Sequence, residues 1–391
     1  MPFSWFQNAP MVVGRGALEH LAGISARRVA VVADLRAAEA CGALQKAGDF
    51  LRRAGADWKL VHDARREPRV QDIEQSTPPL RDYAPDAILA IGGGSTLDAA
   101  KALWYFYESP GSSWERAFTP FAAPPLGTRA RLIAVPTTSG TGSETTCVAV
   151  LVDQAGRKRL MMSRELVPGL AVLDPDLADS VPAPAAAASG MDALTHALEA
   201  AVCRVANPMV TSLAVEAATC LAQWLPAAVT APAGSPLRSR AREQVHYAAS
   251  RAGMAINNSS AGLAHAMDQA GPLLGVPHGL ACALTLPATV EFLGPQPAYS
   301  RVALALGGTG DDTQLWSSLL ARLRGLLGEL GLPEGYGRFG VSEQDFAGIL
   351  PGLIEEALGS GSTRLAPAAP DAAAFRRMFW QAFHGEPAEA G

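Results

Sequence analysis

Asp192 and His196 stand four residues apart in the stretch Ser189-Gly-Met-Asp-Ala-Leu-Thr-His-Ala-Leu-Glu-Ala200. On a helix that spacing sets a carboxylate and an imidazole on one face, about 6 Å apart, close enough to chelate one divalent ion. Two ligands make a weak site. Two further histidines follow, His265 in Gly-Leu-Ala-His-Ala-Met and His278 in Val-Pro-His-Gly-Leu-Ala. An Asp/His/His/His set suits Fe2+ or Zn2+. The chain has seven histidines, and any one of them taken singly is most simply structural or surface-exposed.

A second chemistry rests on glycine. In Ile91-Gly-Gly-Gly-Ser-Thr-Leu-Asp98-Ala-Ala-Lys101 the glycines let the backbone approach a ligand, and the amides that open the next helix face an anion such as a pyrophosphate. The triplet departs from the G-x-G-x-x-G fingerprint, and a plain strand-to-helix turn explains it equally well. Asp34 ends a strand-like run and suits an adenosine ribose, which would favour NAD over NADP; it suits a helix N-cap as well. Val135-Pro-Thr-Thr-Ser-Gly-Thr-Gly-Ser-Glu144 is a solvated loop or, beside the first glycine loop, a dinucleotide-lining one. Lys158, in Gly-Arg-Lys-Arg, is most simply a turn lysine on the surface.

These residues need elements to hold them. Strand-like runs occur at 29–34, Trp58–His62, Ala87–Ile91, Leu132–Val135, Val148–Asp153 and Leu170–Asp174, with helical patterns to about Arg53 and at Val70–Tyr83 and Ser95–Tyr107. Such alternation predicts βαβ units and a doubly wound sheet with its ligand at the carboxyl ends of the strands. Pro78-Pro79, Pro110–Ser113 and Pro120–Gly127 read as loops. Beyond the small-residue connector at 181–190 strand patterns vanish and helical periodicity takes over through Phe383, so the expected domains are 1–180 and 181–391.

Composition narrows the function. Hydrophobic residues make up 49% and charged ones 18%, with a net charge of −5 and no long Lys/Arg block, which argues against nucleic acid or an anionic membrane as partner. The five cysteines are scattered, never as Cys-x-x-Cys, and read as small core residues in a reducing compartment. With no signal-like start and no uninterrupted apolar run of about eighteen residues, the expected location is the cytoplasm.

Taken in order, Gly92-Gly-Gly-Ser with Asp98 and Lys101, Pro136-Thr-Thr-Ser-Gly-Thr-Gly-Ser-Glu, Asp174-Pro175, Gly190-Met-Asp-Ala-Leu-Thr-His-Ala-Leu-Glu and Pro277-His-Gly resemble the iron-containing (group III) alcohol dehydrogenase family. The resemblance spans nearly the whole chain. It implies a Rossmann-like N-terminal α/β domain and an all-helical C-terminal domain, the architecture shared with dehydroquinate synthase, with NAD(P) and metal meeting in the cleft between them. It makes Asp192, His196, His265 and His278 the metal ligands. It also places Asp34 at the ribose, Gly93, Gly94, Ser95 and Asp98 at the pyrophosphate, Thr137, Thr138 and Ser143 in the lining loop, and Lys158 nearby.

Two departures from the family pattern stand out. Many members carry a second histidine four residues after the third ligand, where this chain has Gln269, and the interval from His265 to His278 is one residue shorter than usual. Glutamine hydrogen-bonds an alcohol but cannot take up and release a proton near neutral pH. A relay would then run through the cofactor ribose and water, or through Asp268.

The implied reaction is reversible, NAD(H)-dependent interconversion of a small primary alcohol and its aldehyde, the metal acting as Lewis acid on the substrate oxygen. A homodimer or larger assembly follows from the same resemblance, through the segment around Met11–Val13. Sugar-phosphate cyclases share the two-domain scaffold and form the alternative. They would need several Lys/Arg groups for a phosphate, and the motif around Asp192 favours the dehydrogenase. A non-catalytic binding protein would require lost ligands, and all four are present.

Overall fold

The structure is a computed structural model that describes residues 5–64 and 67–385. The chain divides into two compact units, one spanning Phe6–Val181 and the other beginning at Pro182.

The first unit contains strands β1 (Met11–Val13), β2 (Arg28–Ala33), β3 (Asp57–Asp63), β4 (Ala87–Gly92), β5 (Arg131–Pro136), β6 (Val148–Val152), β7 (Lys158–Met162) and β8 (Leu170–Leu173). Its helices are α1 (Leu35–Ala40), α2 (Ala43–Arg53), α3 (Val70–Tyr83), α4 (Gly94–Glu108) and the short α5 (Trp114–Ala117). Six strands form one parallel sheet in the order β1-β8-β5-β4-β2-β3. Every residue of β4 is buried, as a strand covered on both faces requires.

The period of two sorts the core. Ala30, Val32, Ile88, Ala90, Leu132 and Ala134 join a cluster with residues of α3 and α4. Val29, Val31, Leu89, Ile91, Ile133 and Val135 join another with residues of α2 and the turn of helix at Ala17–Gly23. From β2 the chain winds outward to β3, then returns past β2 to β4 and β5, so the winding reverses between β2 and β4. Ligands of open α/β sheets bind outside the carboxyl ends of the strands at such a reversal.

Two expectations change here. The run at Val148–Asp153 is not a strand of the parallel sheet; β6 pairs antiparallel with β7 in a separate hairpin. Its alternating burial shows the cause, because only a strand covered on one face alternates. Pro78 and Pro79 do not break the chain but lie inside α3. Interior prolines cost a helix about 3 kcal/mol each, yet Ile73 and Leu80 on either side of them are fully buried against the sheet, and that packing offsets the lost donors.

The second unit is helical: α6 (Ala183–Val202), α7 (Pro208–Thr230), α8 (Pro236–Asn257), α9 (Leu263–Ala266), α10 (Ala270–Leu274), α11 (His278–Leu293), α12 (Pro297–Ala305), α13 (Asp312–Glu329), α14 (Glu343–Gly359), α15 (Gly361–Leu365) and α16 (Ala372–His384). Helix α6 packs against α7, α8 and α11. By length and composition α7 is apolar enough to cross a membrane. Its buried stripe of Val210, Ala214, Ala217, Leu221 and Leu225 makes it a core helix packed on α6, α8 and α12.

Two glycines allow α6 its close neighbours. A Cβ on Gly190 would lie 2.2 Å from Leu225 of α7, and one on Gly279 would lie 2.5 Å from the Ala188 carbonyl and 3.2 Å from Asp192 Cβ. The glycine after His278 therefore brings the start of α11 against α6 at Asp192.

Candidate metal and cofactor sites

Within the helical unit, α6 carries Asp192 and His196 one turn apart, α9 carries His265, and His278 is the first residue of α11. Asp192 is 2% exposed. Its Oδ1 lies 3.5 Å from His278 Nε2, 3.6 Å from His265 Nε2 and 3.9 Å from His196 Nε2. Four donors bound tetrahedrally at 2.1 Å are separated by about 3.4 Å. Asp192 Oδ1 thus stands close to the spacing one ion demands from each of the three imidazoles, and the donors that all lie within 4.8 Å of one another are those of Asp192, His265, His278 and Cys282.

Two of these facing atoms, Asp192 Oδ1 and His265 Nε2, are buried without a hydrogen-bond partner. Buried polar atoms are normally satisfied, and a cation between them would satisfy both. The donor set therefore fits a divalent metal, and Fe2+ and Zn2+ both accept it.

The outer nitrogens are held as well. Glu199, one turn beyond His196 on α6, faces His265 Nδ1 with Oε2 at 2.6 Å, while its Oε1 accepts the Ala264 and His265 backbone N–H groups at 2.7 and 3.3 Å. Asp268 Oδ2 stands 2.8 Å from His278 Nδ1. Each carboxylate fixes the proton on Nδ1 and turns the Nε2 lone pair inward, the support that metal-bound histidines receive.

The same partners explain the titration. For His265, burial works against the charged form, but Cys282, Glu199 and Asp192 outweigh it and hold the imidazole well above its ordinary value; for His278, Cys282, Asp192 and Asp268 do the same. His196 has no second carboxylate against its outer nitrogen, and burial pushes it down to about 4. Asp192 is opposed by burial too, yet His196, His278 and His265 hold it well below the carboxylate range. Burial also opposes ionisation of Glu199, and His265 keeps it low.

Gln269 caps α10 and donates from its amide toward Asp268 Oδ1 at 3.4 Å, a long contact. Asp268 is thus joined to both His278 and Gln269, and its contact with His278 places it to position that imidazole.

In the α/β unit, the register pairs Ala33 with Ile91 and Gly92 with Pro136. Asp34, Gly93 and Thr137, each following its strand, therefore sit side by side on the carboxyl edge at the reversal. Gly93 caps α4, and Gly94 and Ser95 open it, where the first-turn amides have no partner within the helix. A Cβ on Gly93 would lie 3.2 Å from Thr138 Oγ1, and one on Gly94 2.6 Å from Thr141. The threonine loop packs directly on the glycine turn, so a side chain at Gly94 would force Thr141 to shift while one at Gly93 would be a tight fit against Thr138. Thr137 Oγ1 is buried without a partner at this edge. The glycine cradle, the helix amides and this hydroxyl fit a dinucleotide phosphate.

Other residues expected at the cofactor also make contacts within this unit. Asp34 is the N-cap of α1, accepting the Ala37 N–H. Asp98 accepts from Ser143 Oγ at 2.7 Å and from the Val150 N–H at 2.9 Å. Lys101, wholly buried, donates to Ser143 Oγ, the Thr146 carbonyl and hydroxyl, and the Val148 carbonyl. Burial pushes its amine down to about 8. Asp98, Ser143 and Lys101 therefore tie α4 to the threonine loop and β6. Lys158 is in β7, not a turn, and pairs with Glu67 at 3.1 Å.

Residues 8–175 match the iron-containing alcohol dehydrogenase family, and residues 186–368 match the C-terminal part of the Fe-containing alcohol dehydrogenase family. An NADPH-dependent butanol dehydrogenase of Clostridium saccharobutylicum is 31% identical over 377 residues, covering 95% of this chain and 96% of that one. The chain belongs to the iron-containing alcohol dehydrogenase family. A second family member, an alcohol dehydrogenase of Thermococcus barophilus, is 31% identical across 96% of this chain and 97% of its own. The solved iron-containing alcohol dehydrogenase of Thermococcus thioreducens has a TM-score of 0.89 at 31% identity, covering 98% of this chain and 100% of that chain. These relatives are alcohol dehydrogenases, and the cyclase alternative is dropped.

Sequence reasoning passed over three groups around the metal site of this iron-containing alcohol dehydrogenase: Glu199, Cys282 and the positioning use of Asp268. Helical spacing could have flagged the first two. Glu199 is three residues after His196 and seven after Asp192, and Cys282 is four after His278, so each shares a face with a ligand. For Asp268 no periodic signal exists, because it lies between two short helices.

Proposed function

We propose that this chain catalyses the reversible, NAD(H)-dependent interconversion of a small primary alcohol and its aldehyde, with Asp192, His196, His265 and His278 holding Fe2+ or Zn2+. The observation that carries the proposal is the convergence of those four side chains around unpartnered, buried Asp192 Oδ1. When bound, the ion supplies Lewis acidity toward the substrate oxygen. One carboxylate and three neutral imidazoles balance only half of a +2 charge, so the donors leave a net charge near +1 for that oxygen. Glu199 and Asp268 keep both outer imidazole protons in place. Gln269 hydrogen-bonds an alcohol without exchanging its proton, which leaves through water or the cofactor ribose.

When bound, the nicotinamide would supply the redox chemistry by accepting hydride from the alcohol carbon. Gly93, Gly94 and Ser95 hold the pyrophosphate, Thr137 and Thr138 line it, and Asp34 meets the adenosine ribose and favours NAD. The Clostridium relative is named as NADPH-dependent, so the ratio of kcat/KM with NADH and NADPH tests the Asp34 reading directly. Relatives named for butanol and 1-propanol support a short primary alcohol as substrate. A homodimer joined at the sheet edge formed by β1, and a cytoplasmic setting for the five free cysteines, belong to the same proposal.

The test is NADH oxidation by metal-stripped protein reloaded with Fe2+ or Zn2+, against neutral and anionic short aldehydes. Turnover that returns only with metal, and that Asp192→Ala abolishes together with metal binding, supports the reading. Full metal and NAD binding with no turnover on any aldehyde refutes it.

A further inference from the structure

We infer that Lys101 is a positioning residue for the cofactor: its buried ammonium clamps the threonine loop, residues 137–146, onto the glycine turn in the shape that receives the dinucleotide phosphates. The inference rests on the cofactor reading above.

Lys101 lies two turns into α4 and is 0% exposed. A lysine is almost never fully buried unless it is paired. Here Nζ reaches Ser143 Oγ at 3.0 Å, the Thr146 carbonyl at 2.7 Å, Thr146 Oγ1 at 3.0 Å and the Val148 carbonyl at 2.8 Å. An ammonium has three protons, so these oxygens engage all of them. The acceptors all belong to the segment 143–148, and the donor belongs to the helix that opens at the glycine turn. One charge thus joins the far end of the loop to α4.

The clamp closes on itself through Ser143. Its hydroxyl accepts from Lys101 and donates to Asp98 Oδ1 at 2.7 Å, while Asp98 Oδ2 accepts the Val150 N–H at 2.9 Å. An ammonium only donates and a carboxylate only accepts, so the direction of that hydroxyl is fixed. The near end of the loop is held by the Thr137 N–H, which donates to the Gly92 carbonyl at 3.0 Å. Between these two anchors lie Thr138 and Thr141, which pack on Gly93 and Gly94.

Asp98 on the same helix and Glu144 and Cys147 beyond it are the groups whose charge acts on the ammonium. Burial pushes the Cys147 thiol above its ordinary value of 9.0, which keeps it neutral below that pH. Burial also brings the Lys101 amine down to about 8, so Lys101 itself loses charge in the mildly alkaline range. The neutral amine keeps two protons for four acceptors and no longer balances Asp98. Cofactor phosphates favour the charged form and so raise the value of Lys101 in the complex. Affinity for the cofactor is therefore steady below about pH 8 and falls above it, by at most about tenfold per pH unit for one proton.

NADH is the probe, titrated by calorimetry into full-length, Zn2+-loaded protein from about pH 7 to 9. Wild-type affinity falls above pH 8. Lys101→Met keeps the length of the stem without the charge; it binds NADH about tenfold or more weakly at neutral pH, and the alkaline fall disappears. Hydrogen exchange of the cofactor-free variant shows residues 137–146 exposed faster, with the helical unit and Zn2+ affinity unchanged. Ser143→Ala, which cuts the link from Lys101 to Asp98, carries the same comparison if Lys101→Met fails to fold: it too weakens NADH binding and speeds exchange in the loop. Wild-type affinity that is flat through pH 8 needs no variant to overturn the inference. An alkaline fall that Lys101→Met retains, or NADH affinity and loop exchange equal to wild type in the folded variant, overturns it too and leaves the cofactor reading standing. Failure of the wild type to bind NADH at any pH overturns both.

Discussion

Glu199→Gln probes the support behind the metal ligands with almost no change of shape. In the wild type the two carboxylate oxygens divide the work, Oε2 facing His265 Nδ1 at 2.6 Å and Oε1 accepting the Ala264 N–H at 2.7 Å. Glutamine keeps one acceptor. If its oxygen stays on Ala264, its NH2 meets Nδ1, which must give up its proton and place it on Nε2, the atom that faces the metal. If the amide turns over, NH2 meets the backbone N–H instead. Either arrangement loses one hydrogen bond to a charged group, about 1.5–3 kcal/mol. Outer partners of metal-bound histidines are generally worth about 10–100-fold in affinity, or about 1.4–2.7 kcal/mol at 1.36 kcal/mol per decade. The two routes agree. Competition between the protein and a chromophoric chelator for Zn2+ measures the change directly. Affinity within about threefold of wild type would refute the argument that Glu199 sets the His265 tautomer.

Gly94→Ala puts a Cβ against Thr141 at 2.6 Å, and overpacking of this kind costs about 1–3 kcal/mol; the expected result in cofactor titrations is weaker NAD binding with Zn2+ affinity unchanged. Gln269→His supplies a titratable group beside Asp268 and should alter the pH profile of kcat without abolishing turnover, which a profile superimposable on wild type would exclude. Acid should weaken metal binding. His265 and His278 sit well above their ordinary value of 6.5 in the metal-free fold, so they stabilise that fold fully below pH 6.5 and the contribution fades as pH rises through the folded values. Metal needs both nitrogens free, so its affinity climbs over the same window. Calorimetry in buffers of different ionisation heat should count protons released from His265 and His278 and none from His196; pH-independent affinity would contradict the assignment.

The parts legible in the sequence are those whose physics is local. A three-glycine turn after a buried strand, the strand–helix alternation before residue 180 and the helical periodicity after it all follow from short-range patterns. So does the shared face of Asp192 and His196, since four residues make one turn. What tertiary structure alone decided is which distant groups meet. Gly279 lets α11 approach Asp192 closely enough for His278 to join it, and nothing in the spacing between residues 192 and 278 encodes that approach. Packing likewise commits Asp98 and Ser143 to the Lys101 cage, sends the Val148 run into a hairpin, and carries α3 through two prolines. Local sequence names the groups able to bind a metal or a phosphate. Burial and the contacts of the folded chain choose among them, because hydrogen bonds and buried charges are settled by neighbours that can lie tens of residues away.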